Sequence, residues 1–179
     1  GSSGLWGATD SQVLHRRGPM PKESVDKVQE ELQRQGDWYR AVVFAADDVK
    51  AIASLNVDLA DERLCAELQR FPALLQDRAQ AMRDGLIFGG ERYEVHQYHP
   101  PLVYGRMQVA EEFDTSAPQN HIGDGFALCI GYWEGRPLGA LALFQFPVLS
   151  SQAVPQLTSF FRSCVGDLAD PPPPGPPPS

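Results

Sequence analysis

The sequence predicts an α+β fold: a central antiparallel sheet flanked by an N-terminal and a C-terminal helix, with two short helices between the second and third strands. Three observations carry this. Apolar residues recur at helical spacing near both ends, at Val25, Val28 and Leu32 and again at Val154, Leu157, Phe160, Phe161, Cys164 and Leu168. Between them lie short apolar or alternating runs separated by Gly, Pro and Asp turn signals. Their order is helix, two strands, two helices, five strands, helix, which is not the alternation of a parallel sheet.

The first helix opens after Pro21 and stops at Gly36, with Glu30, Glu31, Arg34 and Gln35 on its polar faces. Ala41 to Ala46 and Val49 to Ala53 flank Asp47-Asp48, a tight hairpin whose turn lacks the favoured Gly. Asp61-Glu62-Arg63 leads into Leu64, Cys65, Leu68 and Phe71, a helix stopped by Pro72, and Leu74, Leu75, Ala79 and Met82 make a second that ends at Gly85. Leu86-Ile87-Phe88 precedes the Gly89-Gly90 turn, and Tyr93, Val95 and Gln97 alternate with Glu94 and His96. Pro100-Pro101 breaks that strand before Leu102-Val103-Tyr104 opens the next. Residues 109–124 read as a polar loop, long enough to be a functional or disordered connection. Phe126 to Ile130 and Leu138 to Phe146 flank Glu134-Gly135-Arg136-Pro137, the strongest hairpin signal in the chain. Ser150 or Ser151 caps the last helix, with Pro155 in its first turn.

These readings divide the chain into a flexible arm over residues 1–20, one domain over 21–168 and a proline-rich disordered tail over 169–179. Gly1-Ser2-Ser3-Gly4 reads as a foreign leader and is set aside, Met20 being the natural start on that reading. A net charge of -8 repels phosphate backbones and anionic headgroups, which argues against nucleic acid and against phosphoinositide membranes. No apolar stretch has bilayer-spanning length. Cys65, Cys129 and Cys164 are an odd number of thiols in apolar patterns, as expected of reduced cysteines in a cytoplasmic protein.

Chemistry finds little support. His96 and His99 are three apart, whereas paired strand ligands need a spacing of two, and His121 is distant, so no metal or other cofactor is expected. Cys129 sits inside an apolar strand, where a thiol is inert. Gly89-Gly90 has no following Lys-Ser/Thr helix to cradle a phosphate, and turn or loop solvation accounts for Asp47-Asp48 and Glu111-Glu112. The expectation is a non-enzyme. The tail points instead to docking: Pro171, Pro172, Pro173, Pro174, Pro176, Pro177 and Pro178 preorder a polyproline II rod of the kind that aromatic grooves recognise.

The element order resembles the profilin family over residues 22–168. Asp84-Gly85-Leu86-Ile87-Phe88-Gly89-Gly90-Glu91-Arg92-Tyr93-Glu94-Val95 is similar to the central profilin segment, Leu102-Val103-Tyr104-Gly105-Arg106 to the one after it, and Ala41 to Asp47 to the first strand and its acidic turn. The resemblance implies a monomeric, cytoplasmic regulator of the actin cytoskeleton. It would bind actin monomers on a face built from the later strands and last helix, and polyproline between the first and last helices. Trp38, Tyr39, Phe160 and Phe161 lie where such a proline groove would form, with one of the two adjacent phenylalanines in the core and the other exposed. Tyr132, Trp133 and Arg136 are the expected partner face. The chain departs from the family in carrying Lys27, Val28 and Gln29 where the first helix has its groove aromatics, Ile52-Ala53 for Trp-Ala, and Tyr132-Trp133-Glu134 for a basic element. The tail would serve as a ligand for a profilin or for SH3, WW or EVH1 domains, or fold back onto the domain. The rival expectation is a longin- or roadblock-like adaptor subunit of a trafficking or ciliary complex, which also sets helices around an antiparallel sheet.

Overall fold

The computed structural model describes residues 19–107 and 124–170. Helix α1 (Lys22–Gln33) buries Val28 and Leu32. Strands β1 (Arg40–Ala45) and β2 (Lys50–Leu55) pair antiparallel, and Val49 takes a φ of 55° in the turn between them. The Gln29 side chain bonds both the carbonyl (2.7 Å) and the amide (3.0 Å) of Ser54, so α1 is clamped along the edge strand β2. Groups that an edge would offer to another chain are thereby used.

Three helical pieces, not two, join β2 to β3: α2 (Glu62–Leu68), α3 (Phe71–Gln76) and α4 (Arg78–Asp84). The break the sequence reading missed falls at Asp77, whose extended backbone (φ -129°, ψ 102°) and carboxylate cap α4 by accepting from Gln80. Pro72 does not stop a helix but sits in the first turn of α3, where its missing N–H costs nothing. Gly85 (φ 71°) then turns the chain sharply onto the sheet, and a Cβ there would strike the Tyr93 carbonyl.

Strands β3 (Leu86–Phe88), β4 (Glu91–His99), β5 (Leu102–Met107), β6 (Gly125–Trp133) and β7 (Arg136–Phe144) complete the expected five. Helix α5 (Ser150–Phe160) runs into one wide turn, Phe161–Val165, and a two-residue strand β8 (Asp167–Leu168) closes the described chain. Leu149 precedes α5 with extended geometry and bonds the Gln152 side chain, so Pro155 falls in the second helical turn rather than the first.

The sheet runs β2-β1-β7-β6-β5-β4-β3, with β8 added to β6 beyond the end of β5. Strand alternation sorts its side chains into two cores. Val42, Phe44, Phe126, Leu128, Ile130, Leu141 and Leu143 face α2–α4, where they meet Leu64, Leu68, Phe71 and Tyr93. On the other side Ala41, Val43, Ala45, Ala53, Ala127, Ala140 and Ala142 lie under the two terminal helices. Small side chains there let α1 and α5 approach the sheet closely. Both helices cover β2, β1, β7 and β6, while β4 and the outer half of β5 stay open on that side.

Candidate functional site

The open part of the sheet leaves one face of β4 and the outer half of β5 to a partner. Glu94 is opposite Arg106, Arg106 opposite Gly125 and Gly125 opposite Phe144, so one cross-strand row joins β4 to β7. Arg106 lies over the Phe144 ring at 6.0 Å. Beyond Phe144 the chain presents Phe146 (50% exposed) and Leu149 (42% exposed) just ahead of α5. His96, paired to Glu94 at 3.6 Å, and the half-buried Tyr104 extend the same face. Two large exposed apolar side chains three residues apart, beside a mixed-charge strand face, form an amphipathic patch. The sequence alone does not show it, because Phe146 reads there as part of a strand. The break after Phe144 was the available signal: Gln145-Phe146-Pro147 ends the apolar alternation.

The residues expected to line a proline groove divide. Trp38 and Phe160 do meet, edge to face at 5.7 Å. Both are buried, and so is Phe161; the expectation that one of Phe160 and Phe161 would stay exposed is corrected. Phe160 packs on Trp38 while the wide turn that follows carries Phe161 over Gly131, so the two rings, 100° apart on a regular helix, both find the interior. Tyr39 points to the opposite side of the sheet from Trp38, as neighbours in an extended segment must. A cleft of about 430 Å3 does separate α1 from α5, lined by Glu31, Gln35, Gln156, Ser159, Phe160 and Cys164 among others. Phe160 is the one aromatic among its described lining residues. The Trp38 indole Nε1 and Gln156 Oε1 are buried without hydrogen-bond partners, although Gln156 Nε2 donates to Asp37 at 2.6 Å.

The expected partner face also divides. Tyr132 packs toward the α2–α4 core and Trp133 toward the terminal helices. Arg136 is buried and turned onto the β1–β2 turn, bonding Asp48 at 2.8 Å and Asp47 at 3.4 Å. Its charge is spent on the acidic pair, which corrects its assignment as a contact for a partner and gives Asp47-Asp48 a structural role. The prolines of the tail, Glu111, Glu112 and His121 lie outside the described residues.

Polar burial elsewhere serves the fold. The Glu67 carboxylate, almost wholly buried, accepts from the amides of Gly89 and Gly90, each at 2.9 Å, and so holds the β3–β4 turn against α2. The Tyr39 hydroxyl donates to Asp124 at 2.6 Å and contacts that of Tyr93, and Arg40 lies 5.6 Å from the Tyr39 ring centre. Burial first, then the Asp124 hydrogen bond, raises the Tyr39 pKa far above the phenol range, and burial raises those of Tyr93, Tyr98 and Tyr132. Burial likewise pushes the Cys129 thiol well up, so it stays protonated and unreactive. Among the described residues no group of three His, Cys, Asp or Glu is arranged to hold a metal, and no helix is long and apolar enough to cross a membrane.

No family model matches the chain, and no curated protein matches it in sequence. Solved structures do. Schizosaccharomyces pombe profilin is similar over 79% of this chain and 96% of its own, with 16% identity and a TM-score of 0.52. Acanthamoeba castellanii profilin II is similar over 78% of this chain and 91% of its own, with 13% identity and a TM-score of 0.53. A chain of the complex between LokiProfilin1 and rabbit actin is similar over 82% of this chain and 96% of its own, with 12% identity and a TM-score of 0.56. The class is thus set by architecture: an α+β sheet with helices from both ends of the chain on one side. Within that class the chain has a profilin-like fold, divergent in sequence.

Proposed function

We propose that the chain is a non-catalytic, monomeric protein of the cytoplasm that binds actin monomers through the open β4–β5 face and the start of α5. The observation that carries this is the amphipathic patch of Arg106, Phe146 and Leu149, on the side of the sheet where the terminal helices leave β4 and β5 bare. In support, the resemblance to profilins implies an actin-binding face on the later strands and last helix, and one structural relative was solved in a complex with actin. Exposed apolar anchors ringed by charge are what a protein interface requires.

The test is spontaneous polymerisation of pyrene-labelled actin, with calorimetry on monomeric actin in parallel. The chain is expected to slow nucleation, and Phe146→Asp with Leu149→Asp to abolish the effect while leaving the circular dichroism spectrum intact. Unchanged nucleation together with no heat of binding defeats the reading.

Proline-rich ligands form a second reading, favoured by the cleft between α1 and α5, which Phe160 lines with the Trp38 ring packed behind it. With one aromatic lining the α1–α5 cleft, retention on polyproline beads is expected to be weak and to be lost in Phe160→Ala.

A further inference from the structure

At the β3 edge of the sheet, a pocket of about 610 Å3 opens between α3, α4 and the β3–β4 hairpin. Phe71, Leu74 and Leu86 form its floor, and the half-buried Ile87 adds an apolar wall. Three arginines line it: Arg70 at the N-cap of α3, Arg83 near the end of α4, and Arg92 on β4. Arg92 is fixed in place, its Nε donating to the carbonyl of Asp84 and its Nη2 to that of Arg83, each at 2.9 Å, so its charge is held at the wall by the C-terminal end of α4. Arg70 and Arg83 are exposed, and Arg83 also meets the carboxylate of Asp84 at 3.2 Å. Among the described lining residues Asp84 is the one acid.

This concentration runs against the composition. The chain has 15 Lys and Arg against 23 Asp and Glu, yet three of those fifteen surround one apolar opening, with a single acid among its described lining residues. The volume is that of a small ligand or one large side chain with its neighbours. Guanidinium forks match carboxylates in a bidentate way. We propose that this pocket binds an acidic peptide segment of a partner protein, one large apolar side chain entering against Leu74 and Ile87 and flanking carboxylates meeting Arg70, Arg83 and Arg92.

The test uses the full chain and a fluorescein-labelled, end-blocked pentapeptide with a central phenylalanine and two glutamates on each side, followed by fluorescence anisotropy. Saturable binding is expected, weakening as salt rises. The double variant Arg70→Glu, Arg83→Glu should bind about tenfold more weakly or worse, since each lost charge-assisted pair is a sizeable share of a small peptide's affinity. A peptide with glycine in place of phenylalanine should also bind more weakly. The double variant changes two exposed side chains of the helical segment, neither of them in the patch of Arg106, Phe146 and Leu149, so it should slow actin nucleation as the parent does if that reading holds, and the two proposals fail separately. Absence of saturable binding, equal binding by the double variant or by a lysine-flanked peptide, or capture of phosphoinositide vesicles without the glutamate peptide overturns the proposal.

Discussion

Glu67 is a carboxylate whose two oxygens each take one backbone amide of the Gly89-Gly90 turn. Glu67→Gln keeps the shape but can accept at only one of them and sets an N–H2 against the other amide. The expected cost is about 1–3 kcal/mol, read from the midpoint of urea unfolding. The buried phenols and Cys129 set a different response. Their folded-state pKa values are raised, so the stability they contribute is complete below the unfolded values of 9.0 for the thiol and 10.0 for the phenols, and is lost as pH rises above these. Melting temperature should therefore fall on the alkaline side of about pH 9, and Cys129→Ala and Tyr39→Phe should each make that fall shallower. A decline of unaltered steepness in both variants would assign the alkaline response to other groups.

The elements show which parts of the architecture local chemistry encodes. Both terminal helices, the β1–β2 and β6–β7 hairpins and the β3–β4 turn at Gly89-Gly90 were legible, because each is written in side-chain periodicity or turn residues within a short window. The division of 71–84 into α3 and α4 was not. There the apolar spacing of Leu74, Leu75, Ala79 and Met82 runs on through Asp77, and only the cap geometry breaks it. Asp77→Ala removes the carboxylate that accepts from Gln80, with an expected loss of about 1 kcal/mol and greater amide exchange in α4. The candidate site was less legible still. Tyr39, Trp133 and Arg136 were read by residue type, but which side of the sheet a side chain takes and which ion pair consumes it depend on partners many positions away, as Asp47 is from Arg136. The wide turn after α5 hid the fate of Phe161 in the same way, since the extra residue resets the helical phase.

At the scale of the molecule, the last buried residue among those described is Ala169, whose amide bonds the carbonyl of Ile130, and Asp170 beyond it is exposed. A chain ending at Asp170 should keep the melting temperature of the full chain if the proline tail serves a separate partner. A drop of a degree or more, restored by added proline peptide, would instead place the tail on its own domain. The two cores share the same central strands, with Ala127 and Cys129 on one side of β6 and Phe126, Leu128 and Ile130 on the other. Strand β6 also has a neighbour along each edge, β7 throughout and β5 then β8 opposite. Deuterium should therefore reach the amides of Phe126 to Ile130 only when the entire domain opens, which makes them a silent baseline. Against it, protection that a bound protein confers on the outer strands can be mapped residue by residue.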